Sequence, residues 1–291
     1  MAVFGKPSIP LIKGEKMSKL YVVGTPIGNL GDFSPRAAEA LRSVDFIAAE
    51  DTRVSLKLLS HFEIKKPLLS YHEHNHMRRG EEILARLMDG ESCAIITDAG
   101  MPCISDPGEE LVKLCAERGV EVVPVPSPTA AMTALAVSGL STKRFVFEGF
   151  LSVSKNQRAA HLNQLKTLPQ TLIFYEAPHK LKQTLADLLS FLGNRKISLC
   201  RELTKLHEEI IRGTISEMIK RYEISEPRGE YVLVVEGAAE EAEEEVSLEE
   251  ALLQAKTLLD GGMKASEASK AIAAKTSFSK SEIYGGLLSM K

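Results

Sequence analysis

The sequence predicts an α/β protein of two domains followed by a small helical module at the C-terminus. Three observations carry this reading. From Leu20 onward, short β-branched apolar runs alternate with helix-period patterns, the signature of parallel strands joined by helices. The chain has 291 residues, 44% of them hydrophobic, which exceeds the roughly 150 of one average domain and supplies more than one core. A run of glutamates then separates this body from a tail carrying two helix-capping patterns.

Taken in order, residues 1–17 read as a flexible extension; the proline-broken patch Ile9–Ile12 makes a poor signal peptide, and Met17 is an alternative start. LYVVG (20–24) is the first strand, and Ser34-Pro35 then opens a helix to about Ser43 as N-cap and first helical residue. FIAAE (46–50), CAIIT (93–97) and VEVVPV (120–125) are buried strands separated by helices near 54–60, 78–89 and 108–118. These form an N-terminal domain, 18–140. RFVFEGF, TLIFYE, KISLC, IIRG and YVLVVEG follow with shorter connections, so a second domain, 141–239, has a mixed sheet. An acidic linker, 240–246, leads to the tail module, 247–291. There Ser247-x-x-Glu250 precedes a helix stopped by Gly261-Gly262, Ser266 precedes EASKAIAAK, and Ser279-x-x-Glu282 precedes IYGGLL. Three short helices of this kind resemble a helix-turn-helix unit or a plain three-helix packing module.

Composition removes several classes of function. No stretch reaches the roughly 18 apolar residues of a membrane span; the most apolar window, Thr129–Leu140, is broken by Thr133, Ser138 and Gly139. Cys93, Cys103, Cys115 and Cys200 include no C-x-x-C pair and are too sparse for a disulfide framework, which fits a reduced cytoplasm. The net charge of −3 hides an asymmetry: residues 240–250 hold seven glutamates and no base, whereas 251–291 hold six lysines against three acids. A nucleic-acid partner is therefore compatible with the acidic pI.

Open α/β sheets collect ligands beyond the carboxyl ends of their strands, so the loops there are the places to look for chemistry. Gly24-Thr25-Pro26-Ile27-Gly28-Asn29-Leu30-Gly31 permits close backbone approach, but its spacing is not the dinucleotide fingerprint G-x-G-x-x-G. Glu50-Asp51-Thr52-Arg53 places two carboxylates and a guanidinium at a strand end, as a helix-capping ion pair or as catalytic groups. Asp98-Ala99-Gly100-Met101-Pro102-Cys103-Ile104-Ser105-Asp106-Pro107-Gly108 can present amides and a carboxylate to a polar ligand. Pro126-Ser127-Pro128-Thr129 opens a helix whose first amides can do the same. His72, His74 and His76 would share one face of a strand, yet no carboxylate or cysteine cluster at ligand spacing completes a metal site, and a polar, partly basic surface is the reading preferred. No metal is expected. The chain also lacks a G-x-S-x-G nucleophile elbow.

Taken together, LYVVGTPIGNLGD, AAEDTR, ITDAGMPCISDPG, VPVPSPTAAMTAL, FVFEGFL, FYEAPHKL, CRELTKLHEEIIRGT and GEYVLVVEG resemble, in this order, the ribosomal RNA small subunit methyltransferase I family of the tetrapyrrole (corrin/porphyrin) methylase superfamily. The resemblance spans roughly 18–291. It implies a two-domain tetrapyrrole-methylase-like fold binding S-adenosyl-L-methionine in the cleft between domains, a homodimer, and 2′-O-methylation of a cytidine in the decoding region of 16S rRNA in the small ribosomal subunit. Superfamily members acting on tetrapyrroles carry G-x-G-x-G-D and G-D-P turns where this chain has Gly24–Asn29 and Asp98–Pro102, which counts against a small-molecule tetrapyrrole substrate. After FVFEGFL this chain runs Ser152-Val153-Ser154-Lys155-Asn156-Gln157-Arg158 in place of the subgroup's usual proline and basic pair, with Lys155 and Arg158 keeping positive charge. A non-catalytic RNA-binding assembly factor on the same fold is the remaining alternative.

At matching motif positions, the resemblance implies that Ile27, Asp98, Gly100, Ile104, Ser105, Ser127, Pro128, Tyr175, Leu203, Tyr231 and Val232 surround the cofactor. A ribose hydroxyl is a poor nucleophile near neutral pH and needs a base. Asp51 is the first candidate, with Arg53 orienting it or holding a phosphate; Glu50, Glu176, His179 and Glu202 are alternatives. The charge split yields a prediction for the tail. Deleting 247–291 should leave cofactor affinity intact, weaken binding to small-subunit RNA, and flatten the slope of log affinity against log salt by about 0.7–0.9 per lost phosphate contact. An unaltered slope with full activity would assign the tail to packing or stability.

Overall fold

The computed structural model describes residues 18–239 and 247–290, and its contacts divide the chain into two compact units, one ending at Gly237 and the other beginning at Ala238. The extension 1–17 and linker 240–246 anticipated above, with Lys291, lie outside the described residues. In the first unit the chain runs β1 (Lys19–Val23), α1 (Pro35–Ser43), β2 (Phe46–Ala49), α2 (Thr52–His61), β3 (Leu68–Ser70), α3 (His76–Met88), β4 (Cys93–Ile96), α4 (Glu109–Glu117), β5 (Glu121–Val125) and α5 (Ala130–Val137). It continues through β6 (Phe145–Phe150), α6 (Lys155–Leu165), β7 (Thr171–Glu176), α7 (Pro178–Leu192), β8 (Lys196–Arg201), β9 (Glu209–Thr214), α8 (Ile215–Glu223) and β10 (Tyr231–Val235).

The first five strands form a parallel sheet in the order β3-β2-β4-β1-β5. Its central strands β2 and β4 are buried at every residue because helices cover both faces. Alternation along β2 shows the period of two. Ile47 and Ala49 join Ala37, Leu41 and Leu59 on one side, while Phe46 and Ala48 join Ile83, Leu87 and Leu111 on the other. α1 starts where the sequence places it, with Ser34 Oγ accepting from the Ala37 amide and Pro35 in the first turn.

The second sheet has the order β6-β7-β10-β8-β9, parallel only between β6 and β7. One face packs on α6, α7 and α8 through Leu162, Leu181, Leu185, Leu188, Ile215 and Met218. The other face receives α5. Ala131, Ala134 and Leu135 pack with Ile173, Cys200, Val232 and Val234, and Ile27 from the loop after β1 joins the same cluster. Thus α5, which precedes the expected boundary at 140/141, lies on the second sheet, and apolar contact keeps both sheets in one compact unit.

The second unit holds α9 (Leu248–Asp260), α10 (Ala265–Ala273) and α11 (Lys280–Ser289) around Leu252, Ala255, Ile272, Ile283 and Leu287. Both capping boxes form, Ser247 with Glu250 and Ser279 with Glu282. α10 begins one residue before Ser266, which stands in its first turn while Lys264 takes the cap position. Among the described residues, no helix is long and apolar enough to cross a membrane.

At Gly237, a Cβ would stand 2.0 Å from the backbone oxygen of Pro169 and 2.6 Å from that of Gln170, neither of which can swing aside as a side chain does. Gly237→Ala should therefore destabilise the first unit by about 1–3 kcal/mol, read as a lower urea midpoint at unchanged m-value. An unchanged midpoint would contradict the tight approach.

Candidate active site

The register of the second sheet assembles one wall of a cavity. β10 lies antiparallel between β7 and β8, pairing Tyr231 with Glu176 and Arg201, and Val232 with Tyr175 and Cys200. The start of β10 therefore lies beside the ends of β7 and β8. Facing it are the loops that leave β1 and β4 and the start of α5 after β5. Between them opens a cavity of about 530 Å³, lined on its apolar side by Ile27, Ile104, Phe150, Leu203 and Val232. That volume lies in the range of sites for cofactor-sized ligands.

Specific contacts hold the loops. Thr25 and Gly100 exchange backbone hydrogen bonds of 2.8 and 3.1 Å, tying the loops after β1 and β4, and Gly100 supplies the φ of +82° this requires. Ser127 Oγ donates to the Thr25 carbonyl at 2.9 Å, fastening the loop after β5 to the same point. Across the cavity, the Tyr175 hydroxyl accepts from the Ala131 amide at 3.2 Å and so joins the end of β7 to α5. Gly28 reaches the second half of the unit, since a Cβ there would meet Lys205 Cγ at 2.5 Å. Cys103, Ser105, Glu202 and Thr204 all have positive φ, of 72°, 62°, 49° and 66°. Such backbone costs on the order of 1–3 kcal/mol per residue and persists where the surroundings over-determine it, characteristically at ligand sites.

Asp106, Glu176, Glu202 and Glu230 line the cavity, against the single lysine Lys205. Burial pushes the Asp106 carboxyl up to about 7, and the neighbouring charges of Glu50 and Asp98 add to the shift. Glu202 goes the other way: burial alone would raise it, but the Glu230 amide at 2.9 Å and Lys205 at 3.0 Å outweigh burial and hold it below the usual carboxylate range. Glu176 is almost fully buried, accepting from the Ala177 amide at 2.8 Å and from the Thr184 hydroxyl. An apolar-walled cavity rimmed by carboxylates matches S-adenosylmethionine, which combines a flat purine, ribose hydroxyls and a sulfonium cation.

Of the residues singled out from the sequence, Ile27, Gly100, Ile104, Ser105, Tyr175, Leu203, Tyr231 and Val232 line this cavity, as do Glu176, His179 and Glu202. Asp98, Ser127 and Pro128 do not. Asp98 accepts from the Asp51 amide at 3.2 Å, and its own amide donates to Glu50 at 3.3 Å, so it braces the loops after β2 and β4. Asp51 caps α2 and is clasped by Arg53, with contacts of 2.6–3.0 Å to its carboxylate. Hydrogen bonds from Arg53 hold the Asp51 carboxyl well below its ordinary range, which makes it a weak proton acceptor, and neither residue lines the cavity. The three histidines occupy a turn and the first residue of α3, so they do not share a strand face, and no group of three or more potential metal ligands occurs among the described residues. Sequence reasoning passed over Asp106, Phe150 and Glu230. Asp106 stood in the loop already flagged, Glu230 directly precedes a flagged strand, and Phe150 lies in the FVFEGFL motif without having been singled out.

The chain matches the family model of the Tetrapyrrole (Corrin/Porphyrin) Methylases over residues 19–219. It is 48% identical to Ribosomal RNA small subunit methyltransferase I of Synechocystis sp. over 92% of this chain and 96% of that one. It is 47% identical to the Bacillus subtilis protein of the same name, over 92% and 93%. The crystal structure of uroporphyrin-III-C-methyltransferase from Thermus thermophilus superposes with a TM-score of 0.54 at 20% identity, covering 75% of this chain and 94% of that one, a likeness of fold. The two-sheet body, its cavity and these relatives agree: the chain belongs to the tetrapyrrole methylases, and within them to the ribosomal RNA small subunit methyltransferase I family.

Proposed function

We propose that this protein uses S-adenosylmethionine to methylate the ribose 2′-oxygen of a cytidine in the decoding region of 16S rRNA. The observation that carries the reading is the acid-rimmed, apolar-walled cavity at the strand ends, in a chain nearly half identical to rRNA methyltransferases over almost its full length. Ile27, Ile104, Leu203 and Val232 would enclose the purine, and Gly100, Ser105, Tyr175 and Tyr231 would hold the polar parts of the donor. Bound there, the donor supplies an electrophilic methyl group on a positively charged sulfur. Glu202 and Glu230 would offset that charge, and the apolar wall would keep water away from the reacting atoms. Asp51, the first candidate from sequence, is committed to Arg53 and to its helix, so the base role passes to Asp106, whose carboxylate accepts the hydroxyl proton of the ribose. A base that titrates close to working pH is the efficient one.

Three measurements test this. Ribose methylation mapped on small-subunit rRNA from cells lacking the protein should show one decoding-region cytidine unmodified, restored by purified protein with donor; an unchanged map overturns the function. For Asp106, the single-turnover rate should rise about tenfold between pH 6 and the plateau above its pKa of about 7. Asp106→Asn should lower that rate by about 10²-fold or more with donor affinity retained. The same carboxyl makes folding stability depend on pH. The folded carboxyl keeps its proton up to about 7 whereas the unfolded chain releases it near 3.8, so ionisation weakens the fold progressively across that window and fully above it. Asp106→Asn should therefore raise Tm at pH 8 and leave it unchanged near pH 3.

A further inference from the structure

A second concavity, of about 550 Å³, lies between the first turn of α6 and the outer face of α7. It adjoins the cavity at two points in the chain: Phe150 lines the cavity and Ser152 the groove, while His179 lines the cavity and Lys180 the groove. Lys155, Arg158 and Lys180 line it against the single carboxylate of Asp187. Arg158 is committed, donating to Asp187 at 2.5 Å and to Thr184 at 2.7 Å. Lys155 and Lys180 have no ion-pair partner among the described residues. At the junction Phe150 is 58% exposed and Val153 80%, an aromatic and an aliphatic surface beside two unpaired cations.

We infer that this groove is a track for single-stranded RNA, with Lys155 and Lys180 on its phosphates and Phe150 as the platform on which a base rests before its nucleoside enters the cavity. The inference rests on the RNA substrate proposed above. Unpaired lysines beside an exposed aromatic ring are the combination that grips a single strand, charge following the backbone and the ring accepting any base. The groove wall is also prebuilt. Thr184, fully buried, accepts from Arg158 and passes its own hydroxyl hydrogen to the buried Glu176, so one hydrogen-bonded chain runs from the groove into the cavity wall. Strand and target nucleoside thus meet one rigid surface.

The test compares wild type with the double variant Lys155→Gln/Lys180→Gln, and with Lys19→Gln, which removes a charge paired with Glu121 at the start of β1. A single-stranded RNA of about 12 nucleotides serves as probe, alongside small ribosomal subunits. Losing two single-strand phosphate contacts should reduce the slope of log affinity against log salt by about 1.4 and weaken binding about tenfold near physiological salt. KM for small subunits should rise in proportion, with donor affinity by calorimetry unchanged. Lys19→Gln should match wild type. An unchanged slope in the double variant, or an equal loss in Lys19→Gln, overturns the groove. If wild type leaves small subunits unmethylated, the proposed function fails, and the oligonucleotide slope still decides the groove.

Discussion

Everything at the site depends on one packing contact, the seating of α5 on the second sheet. Ala131, Ala134 and Leu135 press on Ile173, Val232 and Val234, and the Tyr175 hydroxyl takes up a free amide in the first turn of α5. The small alanines let helix and sheet approach closely. Without that seat the loops after β1 and β4 would have nothing opposite them, and residues about 200 positions apart, such as Ile27 and Val232, could not form one wall. Gly28 against Lys205 is a second seam of the same joint, where a Cβ would force the Lys205 side chain to move.

The site's charges are sorted by position. The interior gathers carboxylates, while Lys155 and Lys180, without an ion-pair partner among the described residues, stand outside in the adjoining groove. A sulfonium donor gains from the first and a polyanionic strand from the second. The arrangement also discourages the wrong occupancy, because a phosphate pushed into the cavity would meet Asp106, Glu176, Glu202 and Glu230 with only Lys205 to receive it.

The central strands of the first sheet were legible in the sequence because they are buried on both faces and read as unbroken apolar runs, as FIAA and CAII do. β5, read as buried from VEVVPV, is instead an edge strand in which only Val125 is buried. β3 escaped because it is three half-buried residues on the sheet edge, too short to show a period. The apolar window Thr129–Leu140 announced a buried helix but not its partner, since a hydrophobic face does not say which sheet it meets. The site was legible to the same depth. Motif positions pointed to the cavity loops, yet the ordering of Asp51, Asp98 and Asp106 by proton affinity depends on desolvation and on Arg53, which only the assembled loops create.

The strand order has a consequence for biosynthesis. β10 is the last strand of the first unit but lies between β7 and β8, so a nascent chain makes the outer pair before the strand that joins them. Roughly ninety residues separate the end of α5 from β10, about 5–20 s of translation at ordinary ribosomal speeds. Until Tyr231–Val235 leaves the exit tunnel, α5 has only part of its seat and the cavity lacks a wall. Chains that stall earlier expose the apolar faces of α5 and β7 together and present chaperones or proteases with a distinctive intermediate. Competence to hold the methyl donor arrives late and all at once.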